Sequence, residues 1–144
     1  MKRLENILLV EDNHDDVELI RYAFRKAEIA SPFHVVSDGE QAIGYLKGDP
    51  PFEDRDRPLP SLILLDLKLP RRSGFEVLEF AKQNPRTRLI PIVVLTSSNQ
   101  TDDIRRAYEL CANSYLVKPV SRDALVAMMR SLDHYWLGLN EIAR

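Results

Sequence analysis

The sequence predicts an α/β domain built on a doubly wound parallel sheet of five strands and five helices. Three observations lead to that class. Short, wholly apolar runs recur along the chain, Ile7-Leu8-Leu9-Val10, Leu62-Ile63-Leu64-Leu65 and Ile92-Val93-Val94-Leu95, as strands do when helices cover both faces of a parallel sheet. Segments with apolar residues at steps of three and four alternate with them. Each run stops on polar residues: Glu11-Asp12, Asp66, and Thr96-Ser97-Ser98. In such sheets ligands gather beyond the carboxyl ends of the strands.

The elements follow in order. After the first strand, Val17, Ile20, Phe24 and Ala27 line one face of a helix opening behind Asn13 or Asp15 as cap. Phe33 to Ser37 reads as the second strand. Asp38-Gly39 starts a short helix through Ala42, Ile43 and Leu46, and Gly48-Asp49-Pro50-Pro51 ends it because proline cannot continue the ladder. A polar, proline-bearing insertion at about 48–60 is the expected mobile loop. The third strand stops on Asp66, followed by Ser73-Gly74 and a helix bearing Val77, Leu78 and Ala81 that halts near Asn84-Pro85. The fourth strand leads into a helix from Gln100 to Cys111 with Ile104, Ala107, Tyr108 and Cys111 on one face. Tyr115-Leu116-Val117 stops on Lys118-Pro119, and a last helix from Ser121 carries Leu125, Met128, Met129, Leu132 and Trp136. Right-handed crossovers then make the doubly wound sheet the economical topology.

Bulk properties narrow the function. The 144 residues, 44% hydrophobic, fit a single domain over 1–144 with a substantial core. A net charge of −2 without a long single-sign run gives no support to nucleic-acid binding. Cys111 is the only cysteine, which excludes an intrachain disulfide and makes a reducing, cytoplasmic setting the expectation. Four aliphatic residues after Met1-Lys2-Arg3 are too few for a signal core of about 7–15 or a membrane helix of about 18, so no membrane segment is expected.

If the first and third strands are neighbours, Glu11, Asp12 and Asp66 converge. Like charges so close cannot all ionise without compensation, so either one acid holds a proton or a cation is bound. An all-oxygen site with room for water suits Mg²⁺, and magnesium implies phosphate. A carboxylate can attack phosphorus once its charge is shielded, which makes Asp66 the candidate nucleophile. Lys118 supplies a compact positive charge for one phosphoryl oxygen and Thr96 a hydroxyl for another.

These motifs together resemble the receiver domains of two-component response regulators over nearly the whole chain. Receivers carry an acidic pair after the first strand, a phosphoaccepting Asp after the third, Ser or Thr after the fourth and Lys-Pro after the fifth, at spacings close to those here. The resemblance implies flavodoxin-like receiver topology, Mg²⁺ on Asp12, Asp66 and the Lys68 carbonyl with Glu11 acting through water, and a cis peptide before Pro119. It implies a switch in which Thr96 moves toward the phosphoryl group and Tyr115 turns inward. More narrowly, the segment 59–70 and the Tyr135-Trp136-Leu137 ending are similar to stand-alone regulators of bacterial phytochromes. That implies a histidine kinase, of phytochrome or another type, as phosphodonor, and a homodimer; the downstream protein is not specified.

Other residues read more plainly. Asp15 and Asp16 are expected to cap the first helix and favour its positive end. His14, His34 and His134 lack metal-ligand spacing, Cys111 is expected to be buried, and Arg71-Arg72 to be a solvated pair at the site rim. Trp136, Leu137, Leu139 and Ile142 either overpack the sheet or seek a partner. A haloacid-dehalogenase-like phosphatase also uses a nucleophilic Asp and Mg²⁺, but its motif needs a second Asp two positions on, where Lys68 stands. An FMN carrier fits poorly because Glu11-Asp12 would repel phosphate. Neither Lys68 nor Ser98 is suited to orient water, so slow self-dephosphorylation is expected.

Overall fold

The structure, a computed structural model, describes residues 5–52 and 59–143. Strands β1 (Ile7–Val10), β2 (Phe33–Val36), β3 (Leu62–Leu65), β4 (Ile92–Thr96) and β5 (Ser114–Val117) form one parallel sheet in the order β2-β1-β3-β4-β5. Helices α1 (His14–Lys26), α2 (Gly39–Lys47), α3 (Gly74–Gln83), α4 (Thr101–Glu109) and α5 (Arg122–Leu132) alternate with them, as the spacing predicts. The pleat sorts the strand residues between two cores. Leu8, Val10, Ile63, Leu65, Ile92 and Val94 pack with Ala42, Leu46, Val77, Leu78 and Ala107 of α2, α3 and α4. Ile7, Leu9, Leu62, Leu64, Val93 and Leu95 pack with Val17, Ile20, Phe24, Leu125 and Met129 of α1 and α5.

Short polar side chains set the helix starts. Asn13, Asp38, Ser73 and Ser121 each accept a hydrogen bond from the N–H three residues on, at the heads of α1, α2, α3 and α5. Asn13, rather than Asp15, is thus the cap of α1. Gly48, at φ 78°, closes α2 in the left-handed conformation. Phe52 stacks edge-on against Tyr45, and residues 53–58, the middle of the expected insertion, lie outside the described residues.

Two expectations need correction. Only Ala107 of α4 is buried; Tyr108 is 48% exposed and Cys111 is exposed. The helix ends at Glu109, and Cys111 sits beyond it at φ 73°, so helical periodicity no longer aims its side chain at the core. The last helix, in turn, does not run on as an α-helix: Asp133–Leu139 continues it as a π-helical segment. Widening the helix buries Leu137 and lets Trp136 pack beside it, while Tyr135 and Leu139 stay exposed. No helix among the described residues is long and apolar enough to cross a membrane.

Candidate functional site

Strand order reverses between β1 and β3, so the chain leaves their carboxyl ends in opposite directions and opens a crevice there. The backbone ladder continues one residue past each strand. Glu11 N donates to Val36 O (3.0 Å), Asp66 N to Val10 O (3.0 Å) and Lys118 N to Thr96 O (2.8 Å). Those bonds anchor the backbone beneath the side chains that matter. Gly74 completes the floor: a Cβ there would lie 2.2 Å from Asp66 O, so only glycine lets α3 begin directly against the Asp66 backbone.

The structure brings together the residues singled out by their strand-end positions. Glu11 and Asp66 are buried, Asp12 is exposed, and all three offer carboxylate oxygens within 4.8 Å of one another. Lys118 Nζ reaches into this group, donating to Glu11 Oε1, to Asp66 Oδ2 at 3.0 Å and to Asp16 Oδ2 at 2.8 Å. Asp66 Oδ1 accepts from Lys68 N at 3.3 Å, which places the exposed Lys68 backbone beside the carboxylate. Thr96 Oγ1 is buried without a hydrogen-bond partner. Tyr115 hydroxyl donates to Ser98 O (3.0 Å), and Ser98 Oγ donates to Asp103 (2.6 Å), tying β5 to the turn after β4.

Charge is unevenly shared. Burial drives the Glu11 carboxyl up to about 7, and nearby Asp66 adds to the push against the opposing Lys118. Asp66 feels a similar burial penalty, but the Lys118 ammonium more than offsets it and holds that carboxyl below its usual value. The Thr96 hydroxyl helps in this from close by, although it falls short of hydrogen-bond geometry. Burial also disfavours the Lys118 ammonium, yet its carboxylate partners, Asp16 and Glu11 foremost, raise it above the ordinary lysine value. Asp66 is therefore an ionised, lysine-paired carboxylate, whereas Glu11, raised chiefly by burial, is where a proton binds when no cation offsets the site's excess of negative charge.

That excess is what a divalent cation would relieve. The donor set is all oxygen, with two buried carboxylates and one exposed, and it fits Mg²⁺, which keeps waters and takes few protein ligands.

One sequence expectation fails here and another is incomplete. The peptide bond before Pro119 is not cis; among the described residues only Pro50–Pro51 is. The ordinary trans preference of X-Pro bonds, about 0.5–1 kcal/mol, prevails at this position. Asp16, read as a helix-end residue, does stand in the first turn of α1, and it also joins the site through Lys118.

A doubly wound α/β protein with a lysine-paired carboxylate, paired acids and a buried hydroxyl at adjacent strand ends is the class that fold and site define. Known proteins place it further. The chain is 44% identical over 134 residues to the probable methanogenesis regulatory protein FilR2 of Methanothrix harundinacea, covering 93% of this chain and 84% of that one. It is 40% identical over 131 residues to response regulator Rcp1 of Synechocystis, covering 91% and 88%, and the Mn²⁺-bound structure of Rcp1 superposes with a TM-score of 0.88. The phosphorylated cyanobacterial phytochrome response regulator RcpA superposes with a TM-score of 0.91 at 34% identity, covering 99% of this chain and 100% of that one. The response regulator receiver domain model matches residues 7–130, and the chain belongs to that family. It is a signalling domain, homologous to regulators whose structures hold a divalent metal or a phosphoryl group.

Proposed function

We propose that the chain is a stand-alone response regulator that accepts a phosphoryl group on Asp66 from a histidine kinase and thereby changes a protein-binding surface. The observation that carries this reading is the Lys118 ammonium held 3.0 Å from the Asp66 carboxylate and beside the buried Glu11, with the unpartnered Thr96 hydroxyl alongside.

In this reading an Asp66 oxygen attacks phosphorus. The new O–P bond forms as the donor's P–N bond breaks, and the departing imidazole nitrogen keeps the electron pair and takes a proton from solvent. Asp12 and Asp66, the Lys68 carbonyl, and Glu11 through water would hold Mg²⁺. When bound, the ion shields the approach of two anions and neutralises charge developing on the phosphoryl oxygens. Lys118 exchanges its bond to Asp66 for one phosphoryl oxygen. Thr96 turns its hydroxyl to another, which gives that buried group the partner it lacks. Tyr115, tied to Ser98 of the adjoining turn, follows the movement and carries it to the outer surface.

Nearly end-to-end coverage of Rcp1 and RcpA supports the stand-alone role over residues 1–144, and likeness to RcpA, a phytochrome response regulator, supports a phytochrome-type kinase. Exposed Tyr135 and Leu139 support self-association into a homodimer. A near-balanced net charge favours protein over nucleic-acid partners, and a single cysteine favours the cytoplasm.

The test is intact mass after incubation with Mg²⁺ and a small phosphodonor. Wild type gains one phosphoryl group and Asp66→Asn gains none. An equal adduct on both proteins, or no adduct on wild type, refutes the reading.

A further inference from the structure

An ammonium has three N–H donors, and those of Lys118 are shared among three carboxylates: Glu11, Asp16 at 2.8 Å and Asp66 at 3.0 Å. Two of these acceptors lie deep, with side chains 2% and 9% exposed for Glu11 and Asp66. The third differs. Asp16 comes from the first turn of α1, its side chain is 35% exposed, and it is not among the three acids that converge as possible metal ligands.

Its contacts leave it no other structural task. Asn13 already caps the helix, accepting from Asp16's own N–H at 3.0 Å. Asp15, exposed in the same turn, already supplies negative charge to the helix start. The cap fixes the Asp16 backbone, and among the described residues its carboxylate pairs with Lys118 alone. Beside that ion pair lies a small cleft lined by Leu19, Pro119 and Leu125, so the pair stands at the outer edge of the site.

We infer that Asp16 is a positioning residue for phosphoryl transfer, holding the Lys118 ammonium toward the mouth of the site so that it meets the incoming phosphoryl oxygens. The inference rests on the phosphoacceptor reading of Asp66. As an Asp66 oxygen bonds to phosphorus, negative charge moves outward from the buried carboxylate to the phosphoryl oxygens, and Lys118 has to follow it. With only Glu11 and Asp66 as partners, the ammonium is drawn inward and must re-extend a flexible four-carbon stem during the reaction. Asp16 offers a partner that persists throughout, on the outer side, so the exchange of Asp66 for a phosphoryl oxygen becomes a short swing about a retained bond. A misplacement of the charge by about 1 Å is enough to matter for rate.

The experiment measures initial phosphorylation rates by intact mass with acetyl phosphate at saturating Mg²⁺. Asp16→Ala slows phosphorylation about ten- to a hundredfold, while Asp15→Ala, which removes the same charge from the same turn, stays within twofold of wild type. Lys118→Met is slow, and adding Asp16→Ala to it slows it no further, because Asp16 acts through Lys118. In metal-free protein, the same cycle read by urea unfolding shows Asp16→Ala lowering the midpoint of wild type and leaving that of Lys118→Met unchanged. The inference is overturned if Asp16→Ala reacts within twofold of wild type, if Asp15→Ala slows it equally, or if Asp16→Ala slows Lys118→Met by the factor seen in wild type. Wild type that takes no phosphoryl group overturns the phosphoacceptor reading itself, which distinguishes the two failures.

Discussion

Replacing Lys118 with Met keeps the length of the side chain and removes the charge that lies among Glu11, Asp16 and Asp66. Glu11, Asp12 and Asp66 then remain with ligand oxygens within 4.8 Å of one another and no ammonium beside them. At that separation, and an effective dielectric of about 20, each like-charged pair repels by about 3.5 kcal/mol. The folded protein relieves part of this by binding a proton, and Glu11 is the group that takes it, because burial already holds it at about 7 in the presence of the lysine. A carboxyl raised above its unfolded value binds protons on folding, so its contribution to stability is full below about 4.5 and is lost as pH rises through the folded value. In wild type that loss is complete a little above pH 7; in Lys118→Met the folded value moves higher and the decline continues toward pH 9. Asp66, held below its usual value in wild type, adds no slope across this window. The net cost at pH 8 is expected to be about 3–5 kcal/mol, the range for breaking a buried ion pair by removing one partner, shrinking at pH 5.5. Mg²⁺ restores much of it by mass action, and does so more for the variant than for wild type. Urea unfolding from pH 5.5 to 9, with and without Mg²⁺, reads all three effects. A variant as stable as wild type at pH 8, or one indifferent to Mg²⁺, refutes the electrostatic account.

Thr96→Val removes a buried hydroxyl that has no partner, so the unphosphorylated protein is expected to gain about 1 kcal/mol in urea unfolding; a loss of that size means that the hydroxyl is satisfied in solution. Gly74→Ala drives a methyl against Asp66 O and is expected to cost about 1–3 kcal/mol and to weaken Mg²⁺ binding in calorimetry, whereas unchanged affinity shows that the loop yields without moving Asp66. Tyr115→Phe removes the bond to Ser98 O, worth about 1 kcal/mol, and faster amide exchange over residues 97–100 is its signature. Ser98 Oγ is engaged by Asp103 and Lys68 bears no acid or amide, so the phosphoryl group on Asp66 is expected to hydrolyse slowly; a half-life as short as that of the fastest receivers contradicts this.

Much of this was legible because β-sheet burial and strand-end chemistry write themselves locally. Leu62-Ile63-Leu64-Leu65, short and bounded by polar residues, reads as a strand covered on both faces, and a carboxylate closing it then sits at the sheet edge. Glu11, Asp66, Thr96 and Lys118 were found for that reason. Which strand residues face which helices was not legible, because runs apolar at every position carry no alternation to read. What stayed hidden depended on partners far along the chain or on departures from regular geometry. Asp16 and Lys118 meet across the sheet from α1 to the end of β5, and no local pattern separates Asp16 from its exposed neighbour Asp15. Cys111 lies in a left-handed turn just past α4, where helical spacing ceases to predict direction. The π-helical segment reads as plain α-helix in sequence, because its widened turn is imposed by the burial of Leu137 against the core.

The segment between Asp66 and α3 is fastened chiefly by backbone proximity. Gly74 meets the Asp66 carbonyl region at one end, and Gly39 meets Arg72 at the other, where an added Cβ would stand 1.9 Å from Arg72 O. Gly74 N donates to Leu67 O and Gly39 N to Pro70 O, so two helix starts grip the segment through main-chain atoms. The side chains of Lys68, Pro70, Arg71 and Arg72 are exposed. Fidelity of the chemistry and identity of the outward face are thereby uncoupled: the exposed side chains of this rim can change, residue by residue, while the position of Asp66 stays under the control of main-chain contacts at two buried glycines.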